Sequence, residues 1–146
     1  MNRIGITGSR HGMTEAQAET FVGFLAGSDG WWLHHGCCVG ADERAHWLAF
    51  EMGIGSVGHP PKDDRLMMDI TGEQTFIELY PAKPYYIRNR DIVEQCDYIL
   101  AFPADEVEQD KGGTWYTIRY ARTCGRYGAT IWPNGSITTL DAKATG

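Results

Sequence analysis

Long apolar runs are absent from this chain. No stretch of about 18 apolar residues occurs, so neither a membrane-spanning helix nor a membrane partner is expected. The opening residues, MNRIGITGSR, lack the apolar core of a secretory leader, which makes a cytoplasmic location the expectation. A surplus of positive charge is missing too, because the formal net charge is −6. Nucleic-acid-binding domains draw much of their affinity from neutralised phosphates. The acidic total therefore marks nucleic acid as an unexpected partner and favours a small ligand. Cysteine is scarce, with Cys37, Cys38, Cys96 and Cys124 its only positions. Free thiols are expected, and the neighbours Cys37 and Cys38 are poorly placed to bridge to each other. No internal repeat and no linker divides the 146 residues. They read as one domain over 1–134, followed by a loose polar tail over 135–146.

What is present is alternation. Residues 3–7 (RIGIT) form a short β-rich run ending at Gly8-Ser9-Arg10. Thr14 with Gln17 has the spacing of a capping box, and Ala18, Phe21, Val22 and Leu25 follow at helical spacing. Residues 31–35 give a second strand, and Ala45, Leu48, Ala49 and Met52 mark a second helix. A weak third strand over 54–58 leads to a proline-rich stretch, 60–85, read as a long loop holding one short element around 75–80. A helix over 87–96, the buried strand YILAF at 98–102, a helix from Thr114 to Cys124 and a strand over 129–132 complete the order. Strands and helices alternating at this spacing predict an α/β, Rossmann-like three-layer sandwich. Its central sheet would be mostly parallel, with about five strands.

The stretch LHHGCCVGADERAH at 33–46 invites a zinc reading. Structural zinc sites separate paired cysteines by two to four residues, and neighbouring side chains on an extended segment point to opposite faces. His34, His35, Cys37 and Cys38 therefore do not make a converging set, and no metal or cofactor is expected. The stretch reads better as strand, glycine turn and helix start.

Glycine turns recur after the strands: Gly8-Ser9-Arg10, then Gly36 with Cys37 and Gly40-Ala41-Asp42, then Gly112-Gly113-Thr114. Ligands of open α/β sheets bind beyond the carboxyl ends of the strands. A helix start there offers unpaired N–H groups and partial positive charge, and glycine lets an oxyanion approach closely. Ser9 and Thr114 can add hydroxyls, and Arg10 and Arg88 can neutralise an anion.

These segments, GITGSRHG, HHGCCVGAD, YIRNRDIVEQCDYILAFP and GGTWYTIRYA, resemble the SLOG superfamily in type and order, over roughly residues 3–133. That Rossmann-like group includes the LOG phosphoribohydrolases, the DprA core and small YspA-like proteins. The GGTW at 112–115 is most similar to the YspA-like branch. The family's arginine is matched by Arg88. The glutamate of the LOG motif PGGxGTxxE is replaced by Thr117, after an acidic insert at 104–110. The resemblance implies a nucleotide-type ligand and a homodimer or tetramer. Asp42 has two readings, a carboxylate for ribose hydroxyls or water activation, and a plain helix-start acid. Trp115 can stack on a base or fill the core, and Tyr85 and Tyr86 raise the same choice. His59, after a strand end, can reach the cleft.

The leading expectation is a module that binds a nucleotide or nucleotide derivative, ADP-ribose-like or a nucleoside monophosphate, as sensor or sequestering protein. The alternative is an N-glycosidase or phosphoribohydrolase in which Arg88 is catalytic and Asp42, or an acid of the 104–110 loop, replaces the missing glutamate. A DNA-handling role is the third and least favoured.

Overall fold

The computed structural model describes residues 2–71 and 73–141. The chain runs β1 (Arg3–Gly8), α1 (Glu15–Ala26), β2 (Trp32–His35), α2 (Ala41–Glu51), β3 (Ser56–Gly58), a 3-10 turn (Glu73–Thr75), β4 (Phe76–Leu79), α3 (Tyr85–Gln95), β5 (Tyr98–Phe102), α4 (Gly113–Thr123), β6 (Tyr127–Ile131) and β7 (Ile137–Thr139). The sheet order is β4-β3-β2-β1-β5-β6-β7. Every pairing is parallel except β6 with β7. This is the expected Rossmann-like sandwich with a mostly parallel sheet. It has two more strands than the roughly five expected, one at each edge.

The apolar stripes explain the layers. Phe21 and Leu25 of α1 and Ala41, Ala45 and Ala49 of α2 pack on Ile4, Ile6, Leu33, Leu100 and Phe102. On the opposite face, Ile92 and Val93 of α3 and Trp115, Ile118 and Ala121 of α4 pack on Ile99 and Ala101. The capping box starts α1 as the sequence implies: Gln17 N–H donates to Thr14 Oγ1 at 3.0 Å and Thr14 N–H to Gln17 Oε1 at 2.9 Å. Gln17 does more than cap. Its buried side-chain amide donates to the carbonyls of Pro103 (2.9 Å) and Ile131 (2.8 Å), tying α1 to the ends of β5 and β6.

Both added strands lie where sequence signals are weak. β4 is the short element inside the 60–85 stretch, and it joins the edge of the sheet beside β3. The stretch from 135, read as a loose tail, begins instead with a hairpin. Ile137–Thr139 pairs with Ala129–Ile131, and Leu140 is buried on the α3/α4 side. A small polar strand needs only one buried anchor, and Leu140 supplies it. Residues 142–146 lie outside the described residues.

Successive crossovers reverse direction between β1 and β5, which are neighbours in the sheet. Loops leaving the carboxyl ends of these strands diverge to opposite faces and open a crevice between them.

Candidate ligand-binding cleft

A cleft of about 850 Å³ lies at that switch point. Gly8, Ser9, Arg10 and His11 form one wall, and Pro103, Ala104, Asp105, Lys111, Gly112, Gly113, Thr114 and Trp115 form the opposite one. Cys38 and Tyr85 sit at its side, and Pro61, Asp63, Arg65 and Leu66 bring in the long loop after β3. Among the expected site residues, the cleft gathers Gly8, Ser9, Arg10, Gly112, Gly113, Thr114 and Trp115.

The first turn is set by backbone bonds. Ser9 N–H donates to Phe102 O at 3.1 Å, and Ser9 O accepts from Gly12 N–H (3.1 Å) and Ala41 N–H (2.9 Å). The Ser9 hydroxyl accepts from His11 N–H at 3.0 Å, which leaves its own proton to donate. Gly8 touches the β2–α2 turn so closely that a Cβ on it would stand 2.5 Å from Ala41 Cβ. Gly40 has φ +94°, and a Cβ there would stand 2.5 Å from the carbonyl groups of Ser9 and Arg10. Both glycines therefore serve the contact between two turns, and Gly40 and Ala41 do not line the cleft.

On the far wall, α4 begins at Gly113 with no side chain capping its N-terminus. Its first amides are left for water or a ligand. The charges nearby are unevenly matched. Asp63 pairs with Arg65 at 2.6 Å, and Asp105 accepts from Trp115 Nε1 at 3.0 Å. Arg10 and Lys111 have no carboxylate partner among the described residues. The cleft therefore presents unneutralised cations, helix-start amides and a hydroxyl, the groups that receive an anion.

The other expected residues lie below the cleft. Arg88 is only 3% exposed. Its guanidinium donates to the carbonyl of Gly36, to that of His59 at 3.1 Å, and through Nε to Asn89 Oδ1 at 2.9 Å. Asp42 Oδ2 accepts from Gly36 N–H (3.1 Å) and Cys38 N–H (3.3 Å). Burial pushes the Asp42 carboxyl up to about 6, against the opposing pull of Arg88 and the two amides. These two residues hold the β2–α2 turn from beneath. They border a small crevice that shares Gly8, Cys38 and Tyr85 with the cleft. Cys37 is fully buried with φ 58°, and burial raises its thiol to about 12. Burial also raises the Cys38 thiol, which lies 3.8 Å from Arg88 Nη2.

His59 also turns inward. Its Nε2 lies 2.8 Å from His34 Nδ1, and His35 Nε2 lies 3.0 Å from His46 Nδ1. His46 continues to Thr75 Oγ1 at 2.8 Å. Burial depresses His34 to about 4 and His59 to about 3. The histidines of the 33–46 stretch are thus committed to histidine partners, His34 to His59 and His35 to His46. No group of three or more His, Cys, Asp or Glu placed to hold a metal ion occurs among the described residues.

Arg65 and Lys111 line the cleft without having been singled out as site residues, and Tyr85, raised as a stacking candidate, lines it with them. The long 60–85 stretch was a fair signal for Arg65, since loops of that length often carry binding groups.

The fold is a Rossmann-like α/β sandwich with a cleft at its switch point. No protein-family model and no curated protein matches the chain. Solved structures do. The molybdenum cofactor binding protein from Rippkaea orientalis superposes with a TM-score of 0.68 and 20% identity, over 90% of this chain and 76% of that one. DprA from Streptococcus pneumoniae gives 0.68 and 18%, over 90% and 50%, so the chain spans half of that protein's length. DprA from Helicobacter pylori gives 0.62 and 15%, over 88% and 64%. That last structure describes a single-stranded DNA binding mode. It overturns the expectation that nucleic acid is an unlikely partner for this chain. The physical reason is that net charge is a whole-molecule total, whereas binding depends on local charge. Here α1 and α2 carry Glu15, Glu19, Glu43 and Glu51 against Arg44 beside the buried Asp42, while α3 and α4 carry Arg90, Arg119 and Arg122 beside the buried Arg88, against Asp91, Glu94 and the Glu108 that pairs with Arg119 and Arg122. No described helix is long and apolar enough to cross a membrane.

Proposed function

We propose that the cleft binds a nucleotide or nucleotide derivative, of the nucleoside monophosphate or ADP-ribose type, and holds it as a sensor or sequestering module. In this reading the chain groups with the small YspA-like proteins, whose GGTW it shares at 112–115. The observation that carries it is the pairing of two walls. The Ser9 turn and the uncapped start of α4 face one cleft, with Arg10 and Lys111 unmatched by carboxylates. A phosphate would sit on the Gly113 and Thr114 amides, with Ser9 donating from across the cleft and the two cations balancing its charge.

Binding is favoured over cleavage because Arg88 and Asp42 are engaged with backbone groups beneath the cleft. A glycosidase would need a carboxylate free to reach the ribose, and Asp105, the acid of the 104–110 loop that lines the cleft, is engaged by Trp115 Nε1–H. The test is incubation with AMP, CMP, NAD and ADP-ribose, read by thermal unfolding and by chromatography of released base. A ligand at ~100 times its dissociation constant adds roughly 2.7 kcal/mol of stability, so a clear upward shift without base release is expected. Release of base that Asp42→Asn or Asp105→Asn abolishes would instead establish the N-glycosidase, and no shift with any of the four would remove the nucleotide reading.

A further inference from the structure

The sequence offers Trp115, Tyr85 and Tyr86 as stacking candidates, yet the Trp115 ring cannot receive a base. Trp115 is 2% exposed, its Nε1–H is spent on Asp105, and its ring packs 5.8 Å from that of Trp132. Tyr85 stands in the opposite condition. It is 44% exposed and lines both the cleft and the small crevice beneath it. The Arg88 guanidinium lies 4.8 Å from its ring centroid, and the Tyr86 ring meets it edge-on at 5.6 Å and 81°. Its hydroxyl leans on the first turn of α4, where a Cβ on Gly113 would stand 2.5 Å from it. The ring is therefore fixed on one side by a cation and at one end by the proposed phosphate site. Part of its surface lines the cleft.

We infer that Tyr85, not Trp115, is the stacking platform for the ligand's base and the residue that separates nucleotides from simple sugar phosphates. This rests on the nucleotide reading above. The chemistry needs a planar, apolar face that is already immobilised, because a ring held in place loses little entropy when a base covers it. The Arg88 contact supplies that immobilisation. Because the hydroxyl abuts Gly113, a base on Tyr85 and a phosphate on the α4 amides belong to one molecule.

The experiment is calorimetric titration of wild type, Tyr85→Phe and Tyr85→Leu with AMP and with ribose 5-phosphate. Both variants keep bulk over Arg88, and thermal unfolding checks that each is folded. Wild type should bind AMP roughly tenfold or more tighter than ribose 5-phosphate, the size of one base–aromatic stack. Tyr85→Phe should keep that ratio. Tyr85→Leu should bring AMP down to the level of ribose 5-phosphate and leave the latter unchanged. A ratio that survives in Tyr85→Leu overturns the inference. So does an equal loss for both ligands, which would mean that Tyr85 only shapes the phosphate site. Absence of binding by either ligand to wild type removes the nucleotide reading itself, and this inference falls with it.

Discussion

Two backbones approach each other closely in the site, and one methyl group tests that contact. Gly40 has φ +94° and ψ −128°, a region that L side chains rarely adopt, and forcing one there costs about 1–3 kcal/mol. In Gly40→Ala the added Cβ would also stand 2.5 Å from the carbonyl carbon and oxygen of Arg10 and from the carbonyl oxygen of Ser9. These are main-chain atoms that cannot rotate away. Overpacking of this kind adds another ~1–3 kcal/mol, and separating the turns weakens the 2.9 Å bond from Ala41 N–H to Ser9 O. The control is Gly53→Ala. Gly53 has φ +76° with nothing within 4 Å of its Cβ position, so only a backbone cost of about 1–2 kcal/mol applies. Urea unfolding of the two variants should differ by on the order of 2 kcal/mol, which for a domain of this size is a melting difference of roughly 4–8 °C. Gly40→Ala should also lose AMP affinity at temperatures where it is fully folded, because it moves Ser9, whereas Gly53→Ala should not. Equal destabilisation of the two variants would mean that the turns are not in backbone contact, and the cleft as described would fail with that contact.

Acid sensitivity should depend on Asp42. His34 and His59 are depressed to about 4 and 3, so the unfolded chain takes up protons below about 6.5 that the folded chain refuses. Their stabilising contribution is complete above pH 6.5 and is lost as pH falls toward 4, by roughly 3 kcal/mol for the pair treated as one proton uptake. Asp42, raised to about 6, acts oppositely: protonation between pH 6 and 3.8 relieves the cost of its buried charge. Asp42→Asn should therefore show a steeper fall in urea midpoint from pH 6.5 to 4.5 than wild type, and superimposable profiles would refute the assignment. Arg88→Lys should lower stability by about 2–4 kcal/mol in urea unfolding, since an ammonium cannot reproduce donors to Gly36 O, His59 O and Asn89 Oδ1 together. Leu140→Ala should cost about 2–5 kcal/mol, because Leu140 is 1% exposed; an unchanged melting curve would return residues 135–141 to the status of a loose tail.

The parts legible in the sequence are those with local causes. The Thr14–Gln17 box, the helical stripes and the YILAF strand all announce themselves within a few residues, and alternation then dictates the sheet. β4 showed only as a short element of unread type and β7 was hidden, because edge strands bury little: Ile77 is 60% exposed and Ile137 53%, so neither segment carries a clear two-residue period. The fate of the conspicuous residues was hidden for a different reason. Arg88 and Gly36 are 52 positions apart and His34 and His59 are 25 apart, and no local pattern reveals that their polar groups are spent on each other. The sequence marks residues able to bind an anion but not those already bound to their own backbone. Tyr85 illustrates the converse. It looks like any tyrosine at a helix start, and only the packing of Arg88 beneath it separates it from Trp115.

That distinction also fixes where a ligand can reach. The turns after β1 and β5 leave amides, a hydroxyl and cations facing the cleft, whereas the turn after β2 is closed by Arg88 and Asp42. A ligand using the β2–α2 turn would have to displace the guanidinium from two carbonyls. Each such bond to a charged donor is worth about 1.5–3 kcal/mol, so displacement would cost about 3–6 kcal/mol. A ligand of micromolar affinity has only about 8 kcal/mol of binding energy in total. The route across the Ser9 turn and the α4 start carries no such cost. In the proposed reading an anionic ligand would therefore settle between β1 and β5, with Arg88 supporting Tyr85 from below rather than touching the ligand.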